Sequence, residues 1–230
     1  MAWKRSTIVL ALAAALAVAF DSAAFDSAPA SASEPSSAPA AAAPDPWALL
    51  AGVRSSLAAA GPTAASFVQT YLPAGFSSGE KESGELALDL PDCMRWDYKD
   101  PFPKSFLVCG GVVHAWNEQD KTGRRYRVDR KNEPGLDLLL LGVPELKERY
   151  RAESVSSAGA VEITLTAKEA KGDLTDATVA VDPAKKRVVR LAYHDREGNL
   201  TRFEITGYQG LSRQGSFSPP GNVRWVEGTQ

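Results

Sequence analysis

The sequence predicts a mainly β domain of antiparallel strands with a few helices. Three observations carry this. Beyond about Ser66 the apolar residues recur with period two instead of the helical period. The alternating runs are short and bounded by Gly, Pro, Asp and Asn. Consecutive runs are joined by turns too short for a parallel crossover, so neighbours pair antiparallel.

The elements follow in order. Asp45-Pro46 reads as an N-cap with proline at the first helical position. Trp47, Leu50, Val53 and Leu57 then recur at helical spacing until Gly61-Pro62 stops the helix. Ser66 to Leu72 alternates, with Phe67 and Tyr71 on one side. Glu85 to Leu90 places Leu86, Leu88 and Leu90 opposite Glu85 and Asp89. Met94, Trp96 and Tyr98 oppose Arg95 and Asp97. The loop Lys99 to Lys104 leads into Ser105–Cys109. Gly110-Gly111 is a two-residue hairpin signal, followed by Val112 to Asn117 and Arg124 to Asp129. The period then breaks. Gly135 to Gly142 holds a leucine run (Leu136, Leu138, Leu139, Leu140, Leu141) in a helix-like segment, and Pro144 to Tyr150 reads as a second short helix. Strands resume around Val161, Ile163 and Leu165, then Val179 and Val181, then Val189, Leu191 and Tyr193. After the Asp195–Asn199 turn come Phe203 and Ile205.

The N-terminus reads as an address. Lys4 and Arg5 precede an apolar stretch from Ile8 to Phe20, too short to cross a bilayer with margin, and Ala17-Val18-Ala19 offers a cleavage site. Residues 1–24 are expected to be a cleaved signal peptide. Residues 25–46, dominated by Ala, Ser and Pro, are expected to be a disordered linker. Residues 47–230 are left as one folded domain. The net charge of −2 gives no basic surface for nucleic acid, and 2 Cys with 2 His exclude a four-Cys zinc site and a His-rich metal site. The expected product is an exported protein without cofactor, bound metal or nucleic acid.

Roughly ten strands, each with one apolar and one polar face, leave a wide apolar sheet surface that the few helices cannot cover. A sandwich, a packed closed barrel and a half-open barrel around a cavity all satisfy that requirement, and the pattern alone does not choose. The cysteines report on register. If Trp96 lies opposite Phe106, then Met94 faces Val108 and Cys93 faces Cys109, which predicts a Cys93–Cys109 disulfide on the convex face in an oxidising compartment.

Sequence motifs for chemistry are sparse. There is no G-x-G-x-x-G, H-E-x-x-H or C-x-x-C. Ser78 and Lys81 have S-x-x-K spacing but lie between strands. His114 and His194 fall in separate strands. Arg124-Arg125-Tyr126-Arg127 and Lys185-Lys186-Arg187 read as solvated strand and turn positions, or as a docking patch for a protein or anionic headgroups. The balance favours binding over catalysis, so no enzyme activity is expected.

Gly84-Glu85-Leu86-Ala87-Leu88-Asp89-Leu90-Pro91-Asp92-Cys93-Met94-Arg95-Trp96 is similar to the G-x-L-x-x-x-x-P-x-x-F-R-W stretch of periplasmic lipoprotein carriers of the LolA type. Phe67-Val68-Gln69, Leu107–Gly111, Phe203 and Phe217–Val223 resemble further family motifs in the same order. The resemblance implies an unclosed antiparallel β-barrel with a helical lid over an apolar cavity. It also implies a periplasmic carrier that shields lipoprotein acyl chains between inner and outer membranes. Its partners would be those acyl chains, an inner-membrane lipoprotein-releasing transporter and an outer-membrane acceptor, with the carrier a monomer. The alternative is a lipid-sensing or regulatory binding domain on the same fold. Met94 and Trp96 match cavity-lining positions of the family. The acyl-binding lining is expected to comprise Phe67, Leu86, Leu88, Met94, Trp96, Phe106, Val108, Ile163, Leu165, Val179, Val181, Phe203 and Ile205. Leu50, Val53, Leu138 and Leu139 would face it from the lid. The family often carries an Arg before the proline of the second strand that hydrogen-bonds to the lid. That position is Leu90 here, which leaves Arg95 or another group to latch the lid.

Overall fold

The computed structural model describes residues 43–127, 139–157, 159–169 and 174–228. They belong to one unit, Ala41–Gln230. The expected signal peptide, most of the expected linker, and Leu136 and Leu138 lie outside the described residues.

Helix α1 spans Pro46–Ala60. The Asp45 carboxylate accepts from the Trp47 N–H at 2.9 Å and the Ala48 N–H at 3.4 Å, covering amides the helix leaves unpaired. Gly61, at φ 70°, ends it in a conformation open to glycine. Leu50, Val53 and Leu57 form its buried stripe. Helix α2 spans Val143–Arg149, with the Gly142 N–H donating to Glu145 Oε2 at 2.8 Å.

The strands are β1 Thr63–Leu72, β2 Glu80–Asp89, β3 Cys93–Asp100, β4 Lys104–Cys109, β5 Val112–Asn117 and β6 Thr122–Arg127. After α2 come β7 Tyr150–Ser157, β8 Ala160–Ala167, β9 Leu174–Asp182, β10 Arg187–Asp195, β11 Leu200–Gly210 and β12 Arg224–Glu227. They form one 12-stranded sheet in the order β12-β6-β5-β4-β3-β2-β1-β11-β10-β9-β8-β7. Two hairpin meanders, β1 to β6 and β7 to β11, are fused by the antiparallel β1–β11 ladder. β12 and β7 stand at opposite edges, so the sheet does not close.

Two strands depart from the sequence reading. Tyr150 is not the end of the second helix but the first residue of β7, a polar edge strand whose inward positions are Tyr150, Ala152 and Ser154. β12 pairs with β6 in parallel, an exception to the antiparallel meander that no local turn could announce.

The period-two pattern sorts the sheet into two faces. One carries the main core, from Phe67 on β1 through Met94 on β3 to Ile163 on β8. The other carries a smaller cluster of Leu107, Trp116 and Val223, packed with Cys109 of β4 and with Phe217 and Trp225 from the stretch around β12. Gly123 makes room for that strap, because a Cβ there would sit 2.5 Å from Trp225 Cζ3. Register is Met94↔Val108, Trp96↔Phe106 and Cys93↔Cys109, and the two cysteines are joined as a disulfide.

The β10–β11 ladder runs only from Arg190↔Glu204 to His194↔Leu200. β11 continues to Gly210 along β1, with a register shift between Ala64 and Ser66, and β10 starts back at Arg187 along β9, with a shift between Val188 and Arg190. The bulges turn the two strands apart, leaving a seam open at one end.

Candidate functional site

The concave wall is built from strand positions of one parity. Phe67, Leu86, Leu88, Met94, Trp96, Val108, Ile163, Leu165, Val179, Val181, Phe203 and Ile205 are all buried in a single cluster, and Phe106 packs against it half-buried. At its centre the rings of Phe67, Trp96 and Phe203 are mutually packed. Phe67 meets Trp96 edge-on at 4.9 Å between centroids, and Trp96 lies 4.8 Å from Phe203. Tyr98 extends the group toward Phe106 and donates its hydroxyl to Gln69 Oε1 at 2.5 Å. Burial, with Glu82 and then Tyr193 adding to it, pushes the Tyr98 phenol up from its ordinary range, so it stays a neutral donor. One polar atom inside the wall lacks a partner among the described residues: the Trp96 indole N–H.

Over this wall lie α1, the Leu139–Leu141 segment and α2. Leu50, Val53, Leu57, Leu139, Leu140, Leu141 and Leu146 join the same cluster from the cover side. The cover is down. The space left between Leu50, Val53, Leu57, Leu139 and Leu146 on one side and Leu165, Val179 and Val188 on the other is about 30 Å³. That is room for a few waters at most, too little for an acyl chain unless the cover moves.

The family description "outer membrane lipoprotein carrier protein LolA" matches residues 60–215, from the end of α1 to beyond β11. This chain belongs to the LolA family. An uncharacterized conserved protein of Thermus thermophilus is similar in structure, with a TM-score of 0.52 at 12% identity, covering 78% of this chain and 97% of that one. A LolA superfamily protein of Nitrosomonas europaea aligns with a TM-score of 0.45 at 6% identity, over 75% of this chain and 96% of that one. A chain of the Pseudomonas aeruginosa MucA/MucB complex aligns with a TM-score of 0.46 at 11% identity, over 80% and 64%. No curated protein matches by sequence.

For a LolA-family chain the attachment of the cover is the point of interest. Arg95 does not supply it. It lies on the opposite face, where its Nε bonds Asp97, its Nη1 reaches the Ser216 carbonyl at 3.4 Å, and its guanidinium stacks 5.1 Å from the Trp116 ring. Arg187 of β10 donates to Ser56 Oγ of α1 at 2.9 Å, and a second polar tie, from α1, joins the two parts of the cover to each other. The Arg54 guanidinium donates to the carbonyl oxygens of Leu139 at 2.8 Å and Leu140 at 3.3 Å. Burial lowers the Arg54 pKa, and the nearby Glu145 carboxylate works against that shift. Leu90, in the position where the family often has arginine, lines the small space beneath the cover. Arg54 is the only charged residue in the helix sequence PWALLAGVRSSLAAA. That lone cation was a readable signal, but its acceptors are 85 and 86 residues away. Of the other expected cover residues, Leu50, Val53 and Leu139 pack on the wall, and Leu138 lies outside the described residues.

The histidines are elsewhere. His114 faces outward beneath Trp225, with ring centroids 5.1 Å apart and its Nδ1 buried without a partner among the described residues. His194 Nδ1 lies 2.9 Å from Asp176 Oδ1, but the adjacent Thr175 hydroxyl donates to Asp176, not to the imidazole. Among the described residues, no group of three or more His, Cys, Asp or Glu could hold a metal ion. No described helix is long and apolar enough to cross a membrane.

Proposed function

We propose that this LolA-family protein is a periplasmic carrier that shields the acyl chains of lipoproteins on their way from the inner to the outer membrane. The observation that carries the reading is the pairing of a continuous aromatic-aliphatic wall with a cover packed on it by leucines, whose two parts, α1 and the leucine segment, are joined by the Arg54 fork. An acyl chain in water costs about 0.8 kcal/mol per exposed CH₂, so several chains need a surrogate apolar surface. The wall offers that surface once α1 and the leucine segment lift. Closed, the leucines fill the place of the cargo, which keeps the empty carrier soluble. Open, they add their own apolar area around the chains. Exchange of one apolar surface for another keeps loading close to balance, so the cargo can also be released. The unpartnered Trp96 N–H supports the reading further, since an ester or amide carbonyl at the head of an acyl chain would satisfy it. Phe67, Trp96 and Phe203 line the chains in this reading. Leu50, Val53 and Leu139 form the movable side. Energy for loading comes from an inner-membrane transporter, and an outer-membrane acceptor takes the cargo. The protein acts as a monomer and without catalysis.

The test is extraction. Membrane vesicles bearing a triacylated lipoprotein and its energised releasing transporter are mixed with the purified protein. The expected result is soluble lipoprotein in complex with it. Lipoprotein that stays in the vesicles, with carrier that stays empty by native mass spectrometry, overturns the proposal.

A further inference from the structure

A hollow larger than the one under the cover lies elsewhere. It is the open seam where β10 and β11 part, about 650 Å³ in volume, within the range of ordinary small-ligand sites. Its walls are Ile205 to Gly210 of β11 on one side and Arg187 and Val189 of β10 on the other, with Ala60 and Thr63 closing the end. Ile205 belongs to the main core and Tyr208 packs against it, so the floor of the seam is continuous with apolar interior. The rim is cationic. Lys185 and Arg187 line it together with Asp182, and Lys185 lies 3.3 Å from the Asp182 carboxylate. Arg187 differs: its described hydrogen bonds go to neutral oxygens, Ser56 Oγ at 2.9 Å and the Lys186 carbonyl at 3.2 Å. Its guanidinium is held over the Tyr208 ring at 5.6 Å, a positioned planar cation at the mouth of an apolar slot.

We propose that this seam is a binding site for a long-chain carboxylate, with the head on Arg187 and the chain lying over Val189, Ile205 and Tyr208. An added peptide strand suits the seam less well. The Tyr208 hydroxyl already donates to the Val188 carbonyl at 2.8 Å, closing part of the edge that such a strand would need. The site is separate from the space beneath α1, and the inference does not rest on lipoprotein carriage.

The test uses the whole protein at pH 7.5 with myristate and, as a neutral match, methyl myristate. Binding is followed by native mass spectrometry and calorimetry. Wild type is expected to bind one myristate and to prefer it to the ester at least tenfold. Arg187→Gln should erase that preference and leave ester binding within about threefold. Val189→Trp should fill the slot and weaken both ligands at least tenfold. Thermal melts check that the variants fold, and if V189W does not, the acid-to-ester ratio of R187Q alone decides. No myristate binding, an unchanged ratio in R187Q, or full binding by a folded V189W overturns the proposal. The vesicle extraction assay reads carriage separately.

Discussion

Removing the Arg54 fork should loosen the cover without unfolding the sheet. In Arg54→Leu the helix keeps an apolar residue of good helix propensity, but the carbonyls of Leu139 and Leu140 lose their charged donor. Hydrogen bonds to a charged group contribute about 1.5–3 kcal/mol each. The 3.3 Å contact is the weaker of the two, and burial of the guanidinium offsets part of the gain. A net loss of about 2 kcal/mol is therefore expected, close to 30-fold in the equilibrium between joined and parted halves of the cover. Amide hydrogen exchange reads it. Leu50, Val53, Leu57 and Leu146 on the cover should exchange about 30-fold faster, while Phe67 and Ile205 in the β1–β11 ladder keep their rates. Arg54→Lys, which keeps the charge but not the planar fork, should fall between. Unchanged exchange on α1 in R54L would refute the latch. Equal acceleration on α1 and on the β1–β11 ladder would show a global effect instead.

Replacing Cys93 and Cys109 by serine should lower stability by about 3 kcal/mol through the larger unfolded ensemble, measured by urea denaturation, and the unreduced wild type should show no titratable thiol. Gly84→Val should cost several kcal/mol, roughly the range of severe core mutations, because a Cβ at Gly84 would lie 2.0 Å from the Asp97 carbonyl oxygen and force β2 and β3 apart. Near-ultraviolet circular dichroism of the wall tryptophan would report it. His114 predicts a pH effect of defined sign. Burial first, then repulsion from Arg125, lowers its pKa below the ordinary 6.5, against an opposing pull from Glu227. The folded state therefore binds its proton less readily than the unfolded chain. Its contribution is present above about 6.5 and is lost as pH falls below that through the folded value. His114→Gln should flatten this part of the stability profile below about pH 7, measured by denaturant midpoints.

The alternation of apolar and polar residues was enough to place the strand faces. Met94, Trp96 and Val108 lie inward and Cys93, Arg95 and Cys109 outward because side chains alternate at every residue of a strand, so one correct pairing determines its neighbours. The Gly110-Gly111 turn was equally local: both residues have positive φ, which that hairpin requires. β7 escaped notice because an edge strand with little to bury carries almost no alternation. β12 escaped because its partner β6 is about a hundred residues away in the chain and parallel to it. The sequence by itself determined which side chains are greasy on which face, since that depends only on chain geometry and residue chemistry. Tertiary structure alone decided that two meanders fuse at β1 and β11, that Arg54 joins α1 to the leucine segment while Arg95 lies on the opposite face, and that β10 and β11 part to leave a cationic seam. These are contacts between residues far apart in sequence, and no local preference encodes which distant partner a strand edge or a guanidinium will meet.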